Sequence, residues 1–203
     1  MMSRRSAEAT CCPSETCRWI SDDGSGSSAR LIIQSVNHTG FGILTYVNTK
    51  SPLFTDAVAA LEEGAYISVN DELSRTVPDG CFLDIMDFRL EFVGRHRAKA
   101  SMVIQDKHLN QAGVCQGGLI VALADAAAGW AAKTALTPPL SFVTLTMSTN
   151  VLRSARPGDI LWAEAIARHV GRSTMVFEVT VRRGDGAADP IVATSTMTQM
   201  VLS

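Results

Sequence analysis

From residue 51 onward, hydrophobic and polar positions fall into short, well-punctuated periods. Ser51 is a suitable N-cap and Pro52 suits the first helical position. Leu53, Phe54, Ala57, Val58 and Leu61 then share one face before Gly64, which predicts a short amphipathic helix. Pro78-Asp79-Gly80 signals a turn. Phe82 to Val93 reads as a strand region. Arg97 to Ile104 reads as a second strand, because Ala98, Ala100, Met102 and Ile104 alternate with polar neighbours. Asp106 to Gly113 has loop composition, and Gln116 to Leu136 is the long helical segment, ending before Pro138-Pro139. Four strand-like runs follow, Ser141–Leu152, Asp159–His169, Thr174–Arg182 and Ile191–Leu202, separated by glycine-containing breaks. The pattern predicts an α+β fold, an antiparallel sheet wrapped around one long central helix. No internal repeat is visible.

The N-terminal part differs in composition. Residues 1–29 lack periodicity, and Asp22 to Ser28 is linker-like. The chain is therefore divided into an extension expected to be poorly structured (1–45), a helical lead-in (46–80) and one domain (81–203). Two β-prone pieces, Leu31-Ile32-Ile33 and Ile43 to Val47, find no place in this scheme. Arg4-Arg5 is followed by a polar run rather than an apolar segment, so export is not expected and a cytoplasmic setting is. The apolar stretch Gly117 to Ala132 is too short for a membrane span and is interrupted by Asp125.

Charge and cysteines narrow the function classes. Residues 1–94 carry a net −6 and residues 95–203 a net +4. The second value suits an anionic ligand, or is ordinary surface variation. No basic run is dense enough for nucleic acid. The five cysteines show neither disulfide spacing nor a metal-ligand pattern, and His38, His96 and His169 show no metal-like spacing.

The chemistry concentrates between His108 and Asp125. Gly117 and Gly118 open the central helix although glycine weakens helices, which calls for a reason. One is close approach of a ligand to the free N–H groups of the helix N-terminus, which suit a polarised carbonyl or an oxyanion. The other is tight packing of the helix on the sheet. Asp125 interrupts a run of alanines; such a carboxylate is either functional or held by a structural hydrogen bond. Gly117 and Asp125 are eight residues apart, about 12 Å along a helix. One carbonyl cannot touch both. If both serve one substrate, they come from two antiparallel copies of the helix, with the small face of Ala122, Ala126 and Gly129 allowing close approach.

The stretch Asn110, five residues, Gln116-Gly117-Gly118, and Asp125 eight after the first glycine, resembles the motif of hotdog-fold acyl-CoA thioesterases of the phenylacetate-pathway (PaaI-like) type. The resemblance covers about residues 80–203. It implies hydrolysis of an acyl-CoA thioester, with no separate cofactor, in a homodimer or homotetramer with no nucleic-acid or membrane partner. In that frame Asp125 is the general base or the nucleophile, and the Gly117 N–H polarises the carbonyl, with Gly118 beside it. Asn110 positions water or the thioester, and Thr144 lies beside the lytic water. Arg153, Arg156 and Arg172 are the candidates for the CoA phosphates, with surface solubility as their alternative. Gln116 departs from the family's usual histidine. It can still donate and accept hydrogen bonds but cannot carry a proton near neutral pH. A non-catalytic acyl-CoA sensor is therefore the competing function, and a hydratase or dehydratase a more distant one. Cys115 and His108 are read as structural residues rather than as a nucleophile and a ligand. Trp130, one turn past Asp125, is read as core, with the floor of an acyl pocket as its alternative.

Overall fold

The computed structural model describes the backbone of residues 32–33 and 41–45, then residues 58, 61, 63–69, 79–136 and 140–202. Most of the helix expected over 51–63 lies outside these residues. Within it Val58 is helical and fully buried, and Gly64 takes the positive φ of +89° that a helix stop requires.

Among the described residues, nine strands form one sheet. They are β1 (Ile32–Ile33), β2 (Phe41–Thr45), β3 (Tyr66–Ser68), β4 (Arg89–Gly94), β5 (Arg97–Val103), β6 (Ser141–Val151), β7 (Ile160–Val170), β8 (Thr174–Arg183) and β9 (Ile191–Leu202). Their spatial order is β1-β2-β3-β4-β5-β7-β8-β9-β6, so β6 is an edge strand. The seven strands from β3 to β6 in that order are antiparallel to their neighbours; β2 joins β3 in parallel, and β1 pairs antiparallel with β2. The two β-prone pieces near residues 32 and 43 thus extend the sheet, and the lead-in contributes β3.

One expectation needs correction. Phe82 to Val93 is not a continuous strand: α1 (Phe82–Ile85) precedes β4. Asp84 accepts a hydrogen bond from the Gly80 N–H at 2.7 Å, closing the turn before α1. Asp87 then adopts φ 57°, which breaks the helix and re-aims the chain into β4. The apolar period of this segment is carried by both elements, with Phe82 packed edge-on against Phe88 at 5.9 Å.

The long helix α2 (Gly117–Lys133) crosses the sheet. Its buried side carries Leu119, Ile120, Leu123, Ala124, Ala127, Ala128 and Ala131. These join a core with Ala98, Ala100 and Met102 of β5, Leu161, Ala163 and Ala165 of β7, and Phe177, Val179 and Val181 of β8. Alanines on both surfaces bring helix and sheet close together. The C-terminus is held by Thr134, which donates to the Ala131 carbonyl at 2.7 Å and accepts from the His96 N–H at 3.0 Å. That contact ties the end of α2 to the β4–β5 turn and fixes the helix lengthwise.

Leu123 is fully buried where α2 meets the sheet. Leu123→Ala is expected to lower the unfolding free energy by about 3 kcal/mol, read from the urea midpoint at unchanged slope.

Candidate active site

The tip of α2 is built by the loop before it. The Asn110 side-chain oxygen accepts from the Ala112 N–H at 2.9 Å and the Val114 N–H at 3.5 Å. Gly113 takes φ +71° in the same turn. The Cys115 N–H then donates to the Ala155 carbonyl at 2.8 Å, and the Gln116 N–H to the His108 carbonyl at 2.9 Å. Gln116 is the N-cap residue in extended conformation, and its exposed side chain makes no capping bond. Helix geometry leaves the N–H groups of Gly117 and Gly118 without an acceptor inside α2.

The packing alternative for these glycines can be tested directly. A Cβ placed at Gly117 or Gly118 meets nothing within 4 Å. The described residues of this protomer therefore do not require glycine there. The space beside both glycines is open, as close approach by something outside the protomer requires.

Asp125 lies on the flank of α2, half-buried, and accepts a hydrogen bond from the Thr144 hydroxyl at 3.0 Å. Gly129, one turn further along, faces the Phe142 ring, the nearest ring carbon 3.6 Å from where its Cβ would be. This flank, with Ala122 and Ala126 also half-buried, borders β6 and hence the open edge of the sheet. Gly117 and Asp125 share one uninterrupted helix, so their separation within a protomer is the one expected from spacing.

The three candidate arginines divide. Arg153 and Arg156 sit in the loop after β6, whose buried Ala155 is tied to Cys115 beside the helix tip. Both are exposed, and Arg153 donates to the Ile191 carbonyl at 2.6 Å. Arg172 lies in the β7–β8 turn, whose Ser173 carbonyl accepts from the Val201 N–H, near the start of β6. That is the end of the domain where α2 finishes. Within one protomer Arg172 is not brought together with the other two.

Cys115 is buried, and burial pushes its thiol up to about 11. A protonated thiol is a poor nucleophile. His108 is also buried. Its Nδ1 accepts from the Gln105 N–H at 3.0 Å, and burial, aided by the neighbouring Lys107, lowers its pKa. Its Nε2 has no partner that meets hydrogen-bond geometry. Sequence reading passed over one further residue, Gln199, which is fully buried on β9. The available signal was its phase: Gln199 occupies the same inward alternation as Met197 and Val201.

Among the described residues, no three His, Cys, Asp or Glu side chains are grouped to hold a metal ion. No helix among them is long and apolar enough to cross a membrane.

Residues 112–189, from the loop before α2 through β8 and into the β8–β9 connection, match the family model described as the Thioesterase superfamily. A protein of Archaeoglobus fulgidus named as a candidate esterase is 30% identical over 117 residues, covering 58% of this chain and 68% of that protein. The chain belongs to the thioesterase superfamily and has its hotdog fold. Among solved structures, similarity extends to the E. coli PaaI protein from the phenylacetic acid degradation operon, at 23% identity and a TM-score of 0.54, covering 60% of this chain and 83% of that one. A thioesterase from Haemophilus influenzae gives 23% identity and a TM-score of 0.57, covering 62% and 85%. A mutant thioesterase from Pseudomonas aeruginosa gives 24% and 0.55, covering 64% and 98%. At these identities the likeness concerns the fold.

The raised Cys115 thiol gives a check on this local structure. In the native protein at neutral pH, iodoacetamide is expected to leave Cys115 unmodified over a period that alkylates it completely in denaturant, as read by peptide mass spectrometry.

Proposed function

We propose that the protein hydrolyses acyl-CoA thioesters at a site shared by two protomers. The observation that carries this reading is the open, glycine-lined tip of α2, eight residues from a carboxylate that Thr144 orients. The thioester carbonyl oxygen accepts from the Gly117 N–H of one protomer. Asp125 of the other takes a proton from water, whose oxygen attacks the carbonyl carbon. The tetrahedral oxyanion stays on the helix tip, where the backbone dipoles favour negative charge. Collapse breaks the C–S bond, CoA leaves as its thiol after taking up the proton, and the free acid remains. Gln116, exposed at the mouth, serves as a hydrogen-bonding group rather than a proton carrier. Asn110 holds the loop that presents the tip, while Arg153 and Arg156 flank it and meet the CoA phosphates.

The edge of the sheet supports a two-fold partner. Among the described residues, β6 has no strand neighbour on its outer side. Val143, Leu145, Met147 and Val151 along it are 43 to 52% exposed. Leu140 and Leu152 extend that apolar strip at either end. An exposed apolar edge strand is a pairing template, and antiparallel pairing of β6 with its own copy brings the two α2 flanks together. Asp125 of each protomer then faces the helix tip of the other.

The test is a panel of acyl-CoA substrates with free thiol measured as product. Asp125→Asn is expected to lower kcat at least about 10²-fold. Gly117→Pro removes the N–H while suiting the first helical position, and is expected to lower kcat by about 10²-fold or more with α2 intact by circular dichroism. Tight acyl-CoA binding without turnover, indifferent to Asp125→Asn, would mark the protein as a sensor instead.

A further inference from the structure

Buried polar side chains of the inner sheet face have partners where β9 carries Ser195, which shares a hydrogen bond with Thr149 at 2.8 Å. Gln199, two positions before Val201 on the same strand, contrasts with it. Its side chain is fully buried, yet neither its carboxamide nitrogen nor its oxygen has a hydrogen-bond partner. A buried, unpaired carboxamide destabilises a fold, and an apolar residue of similar shape would remove that burden, so its presence calls for a role.

Its position names the role. Gln199 is the direct cross-strand partner of Thr144 on β6 and of Met175 on β8. Directly opposed side chains have Cβ atoms about 5 Å apart. Thr144 is itself hydrogen-bonded to Asp125. Gln199 therefore lies buried directly beside Thr144, the first inward polar group that an acyl chain entering the protomer past Asp125 and Thr144 would reach. The other inward positions around it, Phe142, Met175, Met197 and Val201, are apolar.

We infer that Gln199 is a specificity residue whose carboxamide hydrogen-bonds a polar substituent on the acyl group close to the thioester. The preferred substrates are then beta-hydroxyacyl or beta-oxoacyl thioesters rather than unsubstituted ones of the same length. This inference rests on the acyl-CoA reading of the Asp125 site. A site built to hydrogen-bond a substrate group discriminates against the analogue that lacks it, because its own buried group is then left unpaired.

The experiment compares full-length wild type with Gln199→Leu and Gln199→Met on matched pairs, beta-hydroxyacyl-CoA against plain acyl-CoA of equal length. Binding of the corresponding non-hydrolysable thioethers is measured in parallel. The wild type is expected to favour the hydroxylated partner. Both variants are expected to lower the ratio of the two kcat/KM values by about tenfold or more, with a Tm equal to or above that of the wild type. Equal impairment on both substrates with a lowered Tm, or no wild-type preference in turnover or binding, overturns the inference. Turnover of both thioesters without discrimination sinks it while the hydrolase reading stands. Discrimination in thioether binding, lost in the variants of a protein that hydrolyses neither thioester, sinks the hydrolase reading while the inference stands.

Discussion

The arrangement rests on the length of one helix. A carbonyl that develops negative charge needs donors pointing at it, and the first turn of a helix supplies them without any side chain. The same helix carries its carboxylate eight residues later, about 12 Å away. No small reacting group spans that distance. In the proposed reaction the donors and the carboxylate, both present in each protomer, cannot act on the same atom there. The proposed antiparallel association resolves the conflict, and the exposed β6 strand lies beside the flank that it would share.

The rest of the fold keeps that helix stationary and its tip clear. Alanines on α2, β5 and β7 let the helix lie close to the sheet, and Thr134 pins its far end to the β4–β5 turn. At the near end, the Asn110 side chain, the Cys115–Ala155 bond and the Gln116–His108 bond satisfy the backbone of the approach loop. The N–H groups of the first turn are left without an acceptor inside the helix, where the proposed reaction uses them. The loop that holds Cys115 also carries Arg153 and Arg156, so positive charge and donors are supplied from one end of the domain.

Much of this was legible in the sequence. The strands after α2 are strongly periodic and punctuated by glycine, and the structure places them within a residue or two of where the pattern does. Asp125 and the two glycines were conspicuous because each breaks a local preference. The segment 82–93 was misread because Phe82 on α1 and Phe88 just before β4 serve one apolar surface, and the Asp87 backbone reversal lies between them. The strands near residues 32 and 43 were unplaceable because their partners are set by long-range pairing rather than by local pattern. Gln199 escaped notice because a polar residue in a strand is unremarkable until its facing is known. The division of the arginines likewise needed the topology.

Mixed protomers test the shared site most directly. Asp125→Asn protomers keep the helix tip, and Gly117→Pro protomers keep the carboxylate. Each variant alone is impaired; co-expressed under separate tags and purified as the hybrid, they assemble one site with both intact groups and one with neither. The account predicts that the hybrid recovers about half of the activity of a wild-type dimer, as expected for one working site of two in a symmetric pair. A hybrid no more active than its parents would place both groups' chemistry within a single chain and contradict it.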